Sequence, residues 1–256
     1  MIYYLLPAYN EENDLPKVLE SISGVKFPGE DWHVVVVDDG SKDRTPEILK
    51  EWQERIPLTV LTHSPNQGLG RAMRTGLSHL AKTVTESDAV VALDSDNTQP
   101  PELAVRMRQK QMEEGLDLVI ASRYCVEDDK DRGKEVGLSV FRKVLSRGAS
   151  FVLSTAFHVK GAKDYSCGFR LYSGSILKKA AEYYGDDLVE EKNFVCMAEI
   201  LVKLDHTGAK IGEVPLTLRY DLKGGASKIR VLRTIFRYFG MIWRYKVLGE
   251  LRKFKR

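Results

Sequence analysis

Two aspartates close an apolar run in the stretch VVALDSDNTQPPE, where Asp94 and Asp96 follow Val90 to Leu93 and precede the Pro100-Pro101 pair. Carboxylates gathered at such a point repel each other strongly if dehydrated, and a hard divalent cation bridging them to a phosphate removes that cost. Two earlier apolar runs end in comparable chemistry. LPAYNEE supplies Pro7, Tyr9, Asn10 and Glu11, and VVVVDDGSKD supplies Asp38, Asp39, Gly40 and Ser41. Taken singly, an Asp-x-Asp is commonly a solvated turn and DDGS an ordinary helix entry. Their occurrence together, in this order, points to a metal and phosphate site.

To share one edge, these residues must stand at the carboxyl ends of neighbouring parallel strands, where open α/β sheets bind ligands. The patterning supplies such strands. IYYLL, HVVVV, LTVLT, DAVVALD and DLVIAS alternate with the helical runs DLPKVLESIS, TPEILKEWQERI, GRAMRTGLSHLAK and PELAVRMRQKQMEEG. Thr45-Pro46 and Pro100-Pro101-Glu102 place helix-start residues just after strands. Residues 1–122 therefore read as a doubly wound α/β half. After Arg123 come a charged loop, a helix over LSVFRKVLSRGASFVLSTAF, a short FRLYSG strand, two more helices and the strand-like AKIGEVPLTLRY. No repeat or low-complexity linker separates the halves, so residues 123–222 are expected to elaborate the same sheet.

A chain of 256 residues with 43% hydrophobic content can bury a full core. No apolar run approaches the ~20 residues of a membrane-spanning helix, and MIYYLLPAYN lacks a basic lead and a cleavage site. A cytoplasmic protein is expected. Cys125, Cys167 and Cys196 are odd in number and lack CxxC spacing, which predicts core thiols; the five histidines form no metal pair at helical spacing. The net charge of +3 conceals an asymmetry, because eleven Lys/Arg and one acid fall within residues 223–256. That tail is expected to seek an anionic partner.

The segments LPAYNEENDLP, VVVVDDGSKDRT, NQGLGRAMRTGL, LDSDNTQPPEL, ASRY, SRGASF, DYSCGFRLY and IGEVPL with GGASK together resemble the dolichol-phosphate mannosyltransferase branch of the family 2 glycosyltransferases. The resemblance implies a GT-A fold, a GDP- or UDP-sugar donor, a divalent ion (Mg or Mn) and a polyprenyl phosphate acceptor. By that resemblance Pro7, Tyr9 and Glu11 hold the nucleoside, with Val36, Asp38 and Asp39 at the second strand facing base and ribose. Asp94, Ser95 and Asp96 match the metal and donor-diphosphate segment, with Asp94 and Asp96 as ligands and Asp96 the more direct. Arg123 matches an arginine of the acceptor or phosphate site, and Lys228 a lysine near the donor phosphates. Arg142 and Arg147 are further candidates for the acceptor phosphate, against a reading in which helical arginines simply face solvent.

Two positions depart from the family pattern. Leu222 stands where an arginine is usual, leaving Lys223 or Arg219 to replace the charge, and Thr98 stands where some relatives carry glutamine. The implied chemistry is an inverting displacement, with charge on the leaving diphosphate neutralised by metal and lysine. A phosphate acceptor needs no general base. A hydroxyl acceptor would need one, for which Glu190, Glu191 and Glu199 are candidates, although facing solvent or ordering a nearby arginine is the favoured role for them.

At ~100° per residue, Arg230, Arg233, Arg237 and Arg244 share one side of a C-terminal helix. Leu232, Ile235, Phe236, Phe239, Ile242 and Trp243 occupy the other. Such a helix either docks its apolar face on the domain or lies on an anionic membrane surface, and the latter suits a lipid acceptor. The sequence thus predicts a GT-A catalytic unit over 1–222, a basic amphipathic segment over 223–256, and a hexosyltransferase at the cytoplasmic membrane surface with no nucleic-acid partner. The alternatives are a soluble transferase with a hydroxyl acceptor, and a silent module binding a polyanion through its tail.

Overall fold

The computed structural model describes residues 1–128, 131–224 and 231–251, with backbone alone at 141 and 231–233. Seven strands form one sheet in the order β3-β2-β1-β4-β7-β5-β8. They are β1 (Ile2–Ala8), β2 (Trp32–Asp38), β3 (Leu58–Thr62), β4 (Ala89–Ala92), β5 (Leu118–Ser122), β7 (Arg170–Ser173) and β8 (Ile211–Pro215). A small second sheet pairs β6 (Lys134–Val136) with β9 (Thr217–Arg219). β1 runs parallel to both β2 and β4, which sets the ends of all three at one edge. Helices cover both faces, so the central strands read as continuous apolar runs instead of alternating ones. Val34 to Val37 are each at most 1% exposed.

The FRLYSG segment enters the centre of the sheet. β7 lies antiparallel between β4 and β5, and strands from both halves of the chain therefore share one core. Arg170 opens β7 with no exposed surface, its guanidinium donating to the carbonyls of Met197 (2.5 Å) and Tyr165 (3.0 Å). A buried charge so held ties the inserted strand to the helical layer.

Among the described residues eight α-helices complete the layers: α1 (Leu15–Ser23), α2 (Thr45–Gln53), α3 (Leu69–Thr83), α4 (Leu103–Glu114), α5 (Val140–Phe157), α6 (Gly174–Tyr184), α7 (Val195–His206) and α8 (Val231–Ile242). Ser139 and Ser173 cap α5 and α6, their hydroxyls accepting from the amides of Arg142 and Ile176. A Cβ on Gly76 would meet Leu5 Cδ1 at 2.2 Å, so the absence of a side chain there lets α3 lie directly on β1. All three cysteines are buried and free. Among the described residues no helix is long and apolar enough to cross a membrane.

The last helix departs from the expected orientation. α8 and the π-helical turn Trp243–Val247 pack Tyr238, Met241 and Tyr245 inward, while Phe236 (75%), Phe239 (54%) and Trp243 (59%) stand exposed. Arg244 and Arg237 turn toward the protein and pair with Glu191. The expected outward arginine stripe is therefore corrected at these two positions. Glu191 is largely desolvated, and burial pushes its pKa up against the pull of Arg244; the two guanidiniums supply the counter-charge that such a carboxylate requires. Arg230 and the side chain of Arg233 lie outside the described residues.

Candidate active site

The ends of β1, β2 and β4 open into a cleft of about 360 Å³ lined by Pro7, Tyr9, Glu11, Asp39, Ser95 and Asp96, with Asp94 at its inner end. Ser95 Oγ donates to the Pro7 carbonyl at 2.9 Å and so joins the first and fourth strand ends. Of the two adjacent aspartates at the end of β2, only Asp39 lines the cleft. Asp38, the last residue of β2, is 2% exposed, and its carboxylate accepts from the Ser41 amide at 3.0 Å, closing the turn. Val36 has no exposed surface inside β2. Alternation of side chains along a strand puts neighbours on opposite sides. Asp39 accepts from the amides of Gln67 (2.9 Å) and Gly68 (2.8 Å) and from Asn66 Nδ2 (2.7 Å). His63 Nδ1 lies 2.6 Å from Asp39 Oδ1, which places the histidine proton on that nitrogen. Asp39 thereby holds the loop before α3 against the cleft.

Asp94 accepts from Gln99 Nε2 at 2.8 Å while its amide donates to Gln99 Oε1 at 2.9 Å. Burial raises its pKa to about 7, and the charges of Asp96 and Glu11 add to the rise. Gly168 packs closely here, since a Cβ would lie 3.1 Å from Asp94 Oδ1 and press on that carboxylate. Asp96 Oδ1 accepts from Thr98 Oγ1 at 2.6 Å, and Asp96 Oδ2 forms an ion pair with Lys223. Burial works against the Lys223 charge, but Asp96 outweighs it and holds the ammonium above its ordinary pKa. Lys223, the residue after Leu222, thus places a positive charge beside Asp96. Arg219 does not, since its guanidinium is spent on Asp221 at 2.8 Å. Lys228 lies outside the described residues.

A second cavity of about 130 Å³ shares Asp94 with this cleft. Leu145, Ala149, Met197, Ile235 and Tyr238 supply apolar wall, and Arg123, Arg142 and Ser146 supply the polar groups. Arg123 is 8% exposed and bidentate on Asp164 (2.7 Å for each bond). Burial alone would drive the Asp164 pKa up, yet Arg123 overrides it and holds the carboxylate below its usual range. Further bonds from Arg123 reach Ser146 (3.1 Å) and Ser166 (2.7 Å), so one cation braces the wall. Arg142 and Arg147 are not brought together. Arg142 faces the cavity that contains Asp94, whereas Arg147 lines a separate cleft on the other side of Arg123. The two arginines, both expected at the acceptor phosphate, thus line different cavities.

One buried network gives the candidate base Glu199 a different part, together with Lys203 and Tyr245, which the sequence reading did not name. Glu199, without exposed surface, accepts from the amides of Glu190 (3.1 Å) and Glu191 (2.8 Å) through Oε2. Its Oε1 accepts from Lys203 Nζ (2.9 Å) and Tyr245 Oη (2.8 Å). The segment so fixed leads to Phe194, which lines both cavities. Its backbone also rests on α3, where the Gly70 amide donates to the Lys192 carbonyl at 3.1 Å. A signal for it exists in the sequence: Glu199 and Lys203 stand four apart inside the otherwise apolar VCMAEILVKL, the pattern of a buried helical ion pair.

The carboxylate pair suits a magnesium-type ion, which is commonly held by one or two carboxylates with the remaining ligands drawn from substrate phosphate. Among the described residues no three metal-ligating side chains converge, so donor oxygens would have to complete the shell.

Residues 4–180 match the family model described as Glycosyl transferase family 2. A dolichol-phosphate mannosyltransferase of Pyrococcus furiosus is 30% identical over 249 residues, 96% of this chain and 64% of that protein. A dolichyl-phosphate beta-glucosyltransferase of Trichomonas vaginalis is 31% identical over 233 residues, 88% of this chain and 67% of that protein. This chain thus spans about two thirds of the length of these relatives. Among solved structures, glucosyl-3-phosphoglycerate synthase from Mycobacterium tuberculosis, in complex with Mn2+, UDP and glucosyl-3-phosphoglycerate, has a TM-score of 0.66 at 20% identity, covering 95% of this chain and 78% of that one. The S. aureus TarS 1–349 complex with UDP has a TM-score of 0.58 at 19% identity, covering 95% and 65%. These similarities show the shared GT-A fold.

Proposed function

Because the chain belongs to glycosyl transferase family 2, we propose that it moves a hexose such as mannose or glucose from a GDP- or UDP-sugar to a polyprenyl phosphate, with inversion at the anomeric carbon. One observation carries this reading: a cleft lined by the carboxylates Glu11, Asp39 and Asp96 and a cavity lined by Arg123 and Arg142 share Asp94 in their walls. A nucleoside diphosphate fits the first, a phosphate on a hydrocarbon chain fits the second, and the sugar would sit at the junction.

In this reading Pro7, Tyr9, Glu11 and Asp39 line the nucleoside end, and Ser95 fixes the carboxylate segment against them. Asp94 and Asp96 would hold a divalent ion, Mg or Mn, which when bound supplies positive charge to the diphosphate. Lys223 adds a second cation beside Asp96 and stabilises charge on the leaving group. Arg142, with Arg123 and Ser146 behind it, orients the acceptor phosphate for attack from the far side. That phosphate is already ionised at neutral pH and needs no base. The alternative, a hydroxyl acceptor, is disfavoured by the glutamates offered as its base: Glu199 is consumed by four donors, Glu191 by two arginines and Glu190 by Lys203.

The acceptor is a lipid in this reading, and the exposed face of α8 provides the approach to it. Phe236, Phe239 and Trp243 would enter the headgroup layer, with the basic residues near the C-terminus adding attraction for anionic lipid. Residues 1–222 would form the catalytic unit, with Lys223 reaching back into its cleft from the appended segment. The decisive experiment is a donor screen with purified protein, scoring transfer to a short polyprenyl phosphate with and without chelator. Transfer from one nucleotide sugar, lost in chelator, is the expected result; no transfer from any GDP- or UDP-sugar would overturn the reading.

A further inference from the structure

A cleft of about 510 Å³ lies beyond Arg123, on the side away from Asp94. Its walls carry Arg123, already held by Asp164, together with Arg132, Arg147 and Lys163, and among the described residues no acidic side chain lines it. Ser150 also lines it, 3% exposed, with an Oγ that has no hydrogen-bond partner. A buried hydroxyl left unpaired is costly, and a ligand oxygen would satisfy it.

The positions of these groups are built. Arg132 pairs in an antiparallel bridge with Val126, and the Gly133 amide donates to the Cys125 carbonyl at 2.8 Å. A Cβ on Gly133 would meet the Ser122 carbonyl at 2.3 Å, so glycine brings this turn against the end of β5. Lys163 is anchored through its backbone amide, which donates to Glu213 Oε1 at 2.6 Å. Arg147 lies over the Tyr124 ring at 6.0 Å. At the rim stands Phe151, 71% exposed, and two turns back on α5 is Val144, 63% exposed.

We infer that this cleft is a second anion site, separate from the transfer site, that takes the phosphate of a phosphomonoester, with Ser150 donating to it and Arg132, Arg147 and Lys163 neutralising it. Charge and an orphan hydroxyl select phosphate; the apolar rim favours a phosphate carried on a lipid over a soluble one. The inference does not depend on glycosyl transfer.

The test measures binding alone. Wild-type protein is titrated with glycerol phosphate by calorimetry, and with phosphatidylcholine vesicles with and without phosphatidic acid by flotation. Arg132 and Lys163 are exposed, so Arg132→Gln and Lys163→Gln spare the core, and each is expected to weaken phosphate binding about five- to tenfold. Ser150→Ala should weaken it as well. Phe151→Ser should reduce vesicle binding while leaving glycerol phosphate affinity unchanged if the source is a lipid; an unchanged vesicle affinity assigns the site to soluble phosphates. Lys50→Gln with Lys82→Gln removes equal charge elsewhere and should leave binding intact. The inference is overturned if wild-type protein binds neither probe, if the cleft variants bind as wild type does, or if the distant lysine pair costs as much as the cleft pair.

Discussion

Tyr245 donates to Glu199 Oε1 at 2.8 Å, joining the C-terminal segment to the carboxylate that also receives the amides of Glu190 and Glu191. The segment that ends at Phe194 is thus held from two sides, by α7 beneath and by the last helix above. A hydrogen bond to a buried charged group contributes about 1.5–3 kcal/mol. Tyr245→Phe should lower unfolding stability by about that amount in a urea titration. It should also raise amide exchange at Glu190 and Glu191 more than in the sheet. Uniform exchange across the chain would mean that Tyr245 contributes packing only.

Lys223→Gln removes the cation beside Asp96. Loss of a preorganised charge at a leaving group costs about a hundredfold in turnover, so kcat should fall by that order with little change in Tm. Arg219, already paired with Asp221 at the surface, should tolerate Gln within about twofold. The contrast is read by steady-state kinetics on the two variants.

The pKa of Asp94, raised to about 7 by burial and by Asp96, lies well above the ~3.9 of an unfolded aspartate. Between those values the folded state binds the proton that the unfolded state has lost. Metal-free stability should therefore be greatest, as far as this group is concerned, near pH 4, and should decline up to about pH 7. Asp94→Asn cannot lose a proton. Its stability advantage over wild type in chelator should grow from pH 4 to 7 and then level off, while its transfer activity is lost. Thermal melts across that range check the first part, and a constant difference would show that Asp94 does not titrate there.

Arg142→Gln should raise KM for polyprenyl phosphate about tenfold, as expected for one charge-assisted phosphate contact, with KM for the donor unchanged. Initial rates with each substrate varied in turn decide it. Equal effects on both would place Arg142 on the donor side.

Replacing Phe236, Phe239 and Trp243 with Ser removes the exposed apolar face of α8 without touching its buried side. Vesicle flotation should fall by about tenfold or more, and transfer to a long polyprenyl phosphate should suffer more than transfer to a short analogue. Arg237→Gln and Arg244→Gln should act differently, reducing both transfers alike through the loss of counter-charge at Glu191.

Much was legible in the sequence because it is local. Strand and helix alternation follows from hydrophobic period and from helix-start pairs such as Thr45-Pro46. Strand ends are where chemistry collects, so the order of the runs alone sets the segments at Pro7, Asp39 and Asp94 on one edge. The buried pair Glu199 and Lys203 also stands in an apolar helix, where two charges four residues apart must satisfy each other, yet Glu199 was expected to face solvent or order an arginine. Other features needed the tertiary structure. Whether Asp38 or Asp39 faces the cleft depends on the twist and exit of β2, and one residue of phase reverses the answer. Arg142 and Arg147 share a helix, yet Arg123 and Asp164, brought in from other strands and loops, form the wall that parts them. The helical wheel of α8 located two faces but not the partner, because Glu191 comes from a loop some fifty residues earlier and its unscreened charge decided which way Arg237 and Arg244 turn. Periodicity is set by neighbours along the chain, whereas side-chain direction at a site is set by desolvation and charge across it.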